Sequence, residues 1–162
     1  MKNPFVIGFG LGLVALAIAV AAVFYTQRGA HIEVTGKFLK VRTAPLDAHS
    51  SVLVIDFRVT NPADYPFEVR DINVALEDAS GDKSDGMTIS ASDAERLFAG
   101  VPLLGQKYNP PLTLRDKIGP HQTQDRMVAI RFDMPDTELD KRKSLVIRID
   151  EVDGASSEIS GK

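Results

Sequence analysis

The 162 residues carry 22 acidic and 19 basic side chains, and none of the acids falls in the first thirty positions. The remaining 132 residues set 17 Lys and Arg against all 22 acids, a net −5 that argues against a phosphate-neutralising nucleic-acid surface. Hydrophobic residues at 44% and charged residues at 25% match a folded domain, and the lack of cysteine excludes a disulfide frame, a thiolate metal site and a cysteine nucleophile.

The chain opens with FVIGFGLGLVALAIAVAAVFY, Phe5 to Tyr25, 21 residues without a charge. At ~1.5 Å of rise per residue a helix of that length spans the ~30 Å hydrocarbon layer. Residues 1–28 are therefore expected to form a retained N-terminal anchor. The competing reading is a cleaved signal peptide, because Ala19-Val20-Ala21 is a small-x-small site, but the apolar run continues beyond it through Val23, Phe24 and Tyr25. Lys2 on one side and only Arg28 on the other favour a cytoplasmic N-terminus and an extracytoplasmic (periplasmic or cell-surface) body. Gly8 and Gly12 form a G-x-x-x-G, a face on which a partner helix can pack closely.

Beyond Arg28 the hydrophobic period becomes two. An opening strand is expected over 32–41, with a bulge at Gly36, since Ile32 and Val34 fall on one parity and Leu39 and Val41 on the other. In Ser51 to Thr60, Leu53, Ile55, Phe57 and Val59 share an inward face, which places Asp56 and Arg58 outside, and Asn61-Pro62 stops the strand. Glu68 to Glu77 repeats the pattern with Ile72, Val74 and Leu76 inward, and Asp78 to Gly86 is read as a loop. Ser92 to Glu95 matches a capping box, giving a short helix that ends at Gly100. Val101 to Pro120 holds four of the nine prolines and reads as loop, with at most a short strand within 112–118. Strands follow at Arg126 to Met134 and Ser144 to Val152, joined by a turn or one helical turn over 135–143. The expected core includes Ile55, Phe57, Val74, Val128, Ile130, Phe132 and Ile147, with Arg131 outside, and 153–162 is read as a flexible tail. Six or seven short strands make residues 31–152 an all-β, antiparallel immunoglobulin-like sandwich with a short helical insert.

These residues carry a resemblance. VLVIDFRVTNPADYPFEV, INVALEDASGDKSDG, IGPHQTQDRMVAIRFDMP and SLVIRI together resemble the bacterial extracytoplasmic immunoglobulin-like domains grouped as telokin-like domains of unknown function. The matching positions are Asn61, Asp85-Gly86, Gly119 to Thr123 and Val128 to Pro135. The resemblance implies a membrane-proximal sandwich and brings no catalytic residues. Asn61-Pro62 after an alternating strand is also similar to the water-stress domain of late embryogenesis abundant proteins, the second choice.

Chemistry is sparse. His31, His49 and His121 stand apart with no metal-ligand spacing, and G-x-S-x-G, H-E-x-x-H and the phosphate-cradling loop are absent. Asp78, Asp82 and Asp85 fail the calcium-loop template: Lys83 stands where glycine is required and Ile89 where the closing glutamate belongs. Lys141-Arg142-Lys143 is nearly cancelled by Asp136, Glu138 and Asp140. No catalytic, cofactor-binding or metal residue is nominated. The chosen interaction surface is Leu97, Phe98, Val101, Leu103, Leu104 and Tyr108, large apolar groups in a glycine- and proline-rich insert. The expectation is a non-enzymatic, membrane-anchored binding or accessory module, possible as a subunit of a membrane complex, with a protein partner and no nucleic acid; the alternative is a stress-protective domain of the water-stress type.

Overall fold

A computed structural model describes residues 4–27 and 33–161. The chain divides into two units, one ending at His31 and one beginning at Ile32.

The first unit is helix α1, Pro4–Gln27. Its 24 residues correspond to ~36 Å at ~1.5 Å each. The helix has no apolar stripe opposite a polar one: at ~100° per residue the exposed Phe9, Leu13, Leu16, Val20 and Val23 share one face, Val14 and Ile18 lie on the other side, and Gly, Ala and Leu11 make up the remainder of residues 8–23. Among the described residues, which leave out the side chains of 4–7, 11 and 24–27, no helix is long and apolar enough to cross a membrane. Added Cβ atoms at Gly8 and Gly12 would meet nothing within 4 Å, so both glycines are open.

The second unit is an antiparallel sandwich closing towards a barrel. Its strands are β1 (Thr35–Pro45), β2 (Ser51–Thr60), β3 (Phe67–Glu77), β4 (Lys83–Thr88), β5 (Lys117–Ile118), β6 (Thr123–Phe132), β7 (Ser144–Glu151) and β8 (Ser156–Gly161). The hydrogen-bonded order is β1-β2-β6-β4-β3-β7-β8, with β5 pairing the start of β3. β4 belongs to both halves. Its first residues pair β3, from Glu77↔Lys83 to Val74↔Gly86, and its last two pair β6, at Met87↔Arg131 and Thr88↔Ile130. Gly86 lies at the change of partner, where a Cβ would come within 2.1 Å of Ile130 Cγ2 and 2.7 Å of the Phe132 ring.

The expected inward set is buried: Leu53, Ile55, Phe57 and Val59 meet Ile72, Val74, Leu76, Val128, Ile130, Phe132, Leu145, Ile147 and Ile149 in one core. Arg58 and Arg131 lie outside it, as expected. Asn61 ends β2 as a buried staple: its Nδ2 donates to the carbonyls of Tyr65 and Ile118, and its Oδ1 accepts from Ala63 N–H. One buried amide thus ties two loops to the strand end.

Four expectations are corrected. The bulge in β1 falls between Phe38 and Lys40 rather than at Gly36. Gly36 is needed for another reason, because a Cβ there would sit 2.4 Å from Ile159 Cδ1 and 2.5 Å from the Arg58 carbonyl. The expected flexible tail over 153–162 is a strand over its described part: Ser156 to Gly161 form β8, registered on β7 with Ser157 and Ile159 buried, and residue 162 lies outside the described residues. The Asp78 to Gly86 loop shrinks to a turn, since strand β4 begins at Lys83. Asp56 is buried, not exposed, with consequences developed below.

Between β4 and β5 the chain forms α2, Ala91–Gly100, and a 3₁₀ turn, Pro102–Leu104; α3, Asp136–Leu139, is the single turn before β7. The N-cap of α2 is Ser90, two residues before the expected Ser92: Ser90 Oγ accepts from Asp93 N–H and donates to Asp93 Oδ2. The serine caps one orphan amide as in a capping box, but the carboxylate returns to the Ser90 hydroxyl and not to its backbone N–H.

Candidate functional site

The six-residue surface nominated from sequence is divided by the fold. The outward side of β1-β2-β6 is itself apolar, with Ala44, Val52, Val54, Met127 and Ala129 buried in a second cluster under the insert. Leu104 is 1% exposed and belongs to that cluster, which corrects its nomination as a surface residue. Leu97, Phe98 and Val101 are half-buried and pack against the same cluster, so they hold the insert down. Only Leu103 at 75% and Tyr108 at 58% exposure remain as surface groups.

What fastens the insert is polar and was not legible as a motif. Asp56 faces outward on β2 yet is covered by the segment 104–109. Arg42, two residues along β1 from Lys40, the register partner of Asp56, donates from Nη2 to Asp56 Oδ2 at 2.6 Å and from Nη1 to the carbonyls of Leu104 and Gln106 at 2.6 and 2.7 Å. Asn109 Nδ2 donates to the other carboxylate oxygen at 2.8 Å. The guanidinium also lies between two rings, its Cζ 5.2 Å from the Phe98 centroid and 5.1 Å from that of Tyr108. The charge is paired, both Asp56 oxygens accept a hydrogen bond and two rings face the guanidinium, while the buried Arg42 Nε has no hydrogen-bond partner among the described residues, so the pair is a structural clamp with one donor left over.

Around the clamp is a shallow depression lined by Leu39, Lys40, Asp56, Tyr108 and Asn109. Leu39 is exposed because the β1 bulge turns it out, and Lys40 Nζ stands 4.8 Å over the Tyr108 ring. Leu39 and Tyr108 flank the depression beside one ammonium, and Leu103 stands exposed on the 3₁₀ turn, which packs against β1. A separate cleft of about 440 Å³ opens where β3 lacks a strand neighbour between β5 and β4, lined by Ile72, Ile89, Leu112 and Leu114; there Thr88 Oγ1 donates to the Ile72 carbonyl in place of a ladder bond.

The other sequence candidates are dispersed. Asp78 folds onto its own turn, Oδ1 accepting from Ser80 N–H, Ser80 Oγ and Asp82 N–H, and the Ser80 hydroxyl bond leads in holding its carboxyl below the usual range. Among the described residues no group of three His, Cys, Asp or Glu is arranged to hold a metal. His49 is exposed; His121, at φ 54°, places Nε2 2.9 Å from Asp64 Oδ1; His31 lies outside the described residues. In the 141–143 run, Lys143 pairs with Glu77 while Arg142 donates to the Leu139 carbonyl, so no basic patch forms.

No protein-family model matches the chain, and no curated protein matches it. Among solved structures the chain is distantly similar to an ApaG protein from Pseudomonas aeruginosa PAO1, at 9% identity and TM-score 0.39 over 72% of this chain and 93% of that one. It is similar to an uncharacterized β-sandwich protein from Clostridium difficile 630, at 14% identity and TM-score 0.38 over 80% and 86%. A third likeness is the Iho670 flagellar-like filament, at 12% identity and TM-score 0.36 over 98% and 97%. No fold, activity or site is carried across from these likenesses.

Proposed function

We propose that this chain is a membrane-anchored, non-enzymatic binding or accessory module, its immunoglobulin-like body held extracytoplasmically by α1. The observation that carries the reading is the helix itself: its sequence is uncharged from Phe5 to Tyr25 and has no polar side chain over 8–23, and Phe9, Leu13, Val14, Leu16, Ile18 and Val20 are exposed. A helix apolar all round needs an apolar surround, which water does not provide. The sandwich supplies the second half of the reading. Its insert is fastened by a buried clamp while Leu39, Leu103 and Tyr108 stand out beside Lys40, a rigidly presented apolar rim fitted to a protein partner.

A photo-crosslinking residue placed at Leu103 in native membranes tests the contact face. One discrete adduct is expected, lost in Leu39→Glu, a change at an exposed side chain outside the clamp, with the melting temperature unchanged. An adduct that persists in that variant, or none at all, overturns the nominated rim.

A further inference from the structure

The loops at the two ends of the sandwich are both net negative, by two charges at one end and four at the other, and differ more in how many charged side chains they carry, two against ten. Tracing the registers, Thr35, Thr60 and Thr123 lie level at one end, and Phe67, Glu151 and Ser156 lie beside the loops there. This is the end at which the chain enters β1 from α1. Its loops are 61–66, 119–122 and 152–155, and they contain no Lys or Arg and only two acids, Asp64 and Asp153. Of those, Asp64 is bonded to the His121 ring. Exposed among them are Tyr65, Val152 and the prolines 62, 66 and 120. The opposite end carries the loops 46–50, 78–82 and 133–143, with seven acids and three bases.

Resting on the anchored reading above, we infer that the proximal end, through Tyr65 and Val152, lies in the headgroup layer of a lipid bilayer. Only residues 28–32 separate Gln27 from Glu33, at most ~20 Å of chain. A tyrosine among prolines and small residues is suited to that layer, where an aromatic body meets apolar chains and the phenol stays wet. The proximal loops bear no basic cluster, so the contact is one of apolar insertion and not of anionic-lipid capture.

The chain contains no tryptophan, so a single introduced one reports its own position. Four full-length variants, Leu16→Trp, Tyr65→Trp, Val152→Trp and Leu46→Trp, are reconstituted in phosphatidylcholine vesicles bearing doxyl quenchers at the headgroup or deep in the acyl chain. All four positions are exposed, and matching melting temperatures verify the fold. The expected result is deep quenching at Leu16→Trp, and headgroup-level quenching at Tyr65→Trp and Val152→Trp about threefold that of Leu46→Trp at the far end. Quenching at 65 and 152 no stronger than at 46, with Leu16→Trp deeply quenched, overturns the surface contact and leaves the anchor standing. An unquenched Leu16→Trp overturns the anchor and this inference with it.

Discussion

Removing the carboxylate of Asp56 is the sharpest probe of how the insert is held. The Arg42 and Asp56 side chains are 8% and 3% exposed, so water screens the pair little. Asp56→Ala leaves a buried guanidinium uncompensated, a loss of about 3–5 kcal/mol where one partner of a buried pair is deleted. Arg42 keeps its bonds to the Leu104 and Gln106 carbonyls and its two ring contacts, which sets the expectation near the lower bound. Asn109 loses its acceptor, which adds about 1 kcal/mol. Asp125→Ala is the control: it breaks the Arg58 pair, whose side chains are 44% and 35% exposed, and is expected to lose less than ~1 kcal/mol. Urea unfolding of the full chain in detergent micelles reads the difference, and hydrogen exchange reads its location, with amides of 101–109 exchanging faster in Asp56→Ala. Arg42→Met combined with Asp56→Leu should recover most of the loss, because the pair is then replaced by apolar groups and no lone charge remains. Equal losses for Asp56→Ala and Asp125→Ala, or unchanged exchange at 101–109, would refute the clamp.

Gly86→Ala should destabilise by about 1–3 kcal/mol in the same unfolding assay, because its Cβ would overlap Ile130 and Phe132 where β4 changes partner. Ile159→Ala should cost about 2–5 kcal/mol as a core truncation in β8, while Glu158→Ala stays within ~0.5 kcal/mol; equal values would return 153–162 to a loose tail. Acid should destabilise the body. Asp47, Glu77, Asp78, Asp125 and Asp150 all have carboxyls held below their ordinary values, led respectively by hydrogen bonds from Ser50, Lys143, Ser80, Arg58 and Ser156. Depressed groups contribute stability above the unfolded pKa and lose it as pH falls through the folded one, so the melting temperature should hold from pH 8 to 5 and drop below roughly pH 4. A melting temperature that rises on acidification contradicts the sign.

The places where sequence and structure part have physical reasons. Ser51 to Thr60 was legible to the residue because its alternation is strong, yet Asp56 was placed outside on parity alone. Val52 and Val54 were the overlooked signal: apolar residues on both parities mark a strand covered on both faces. The cover is α2 and the 3₁₀ turn, so Leu104, Leu97 and Phe98 look like a surface patch in sequence and serve as packing in the fold. β4 and β8 escaped because KSDGMT and SSEISG are polar and glycine-bearing; their pairing is set by neighbours, not by propensity. The glycines at 36 and 86 report close approach of side chains, a requirement that periodicity does not encode. Of the nominated contact residues, Leu103 and Tyr108 remain exposed, and Leu39 joins them only because the bulge turns it outward.

The account rests most heavily on α1 lying in lipid. Flotation of full-length chain with vesicles after an alkaline wash tests it, set against a Leu13→Asp, Leu16→Lys variant that puts charges mid-helix at about 2.5–3.5 kcal/mol each. The account predicts that the native chain floats with the vesicles and that the doubly charged variant is released. Native chain left at the bottom of the gradient, folded and free of lipid, would contradict it.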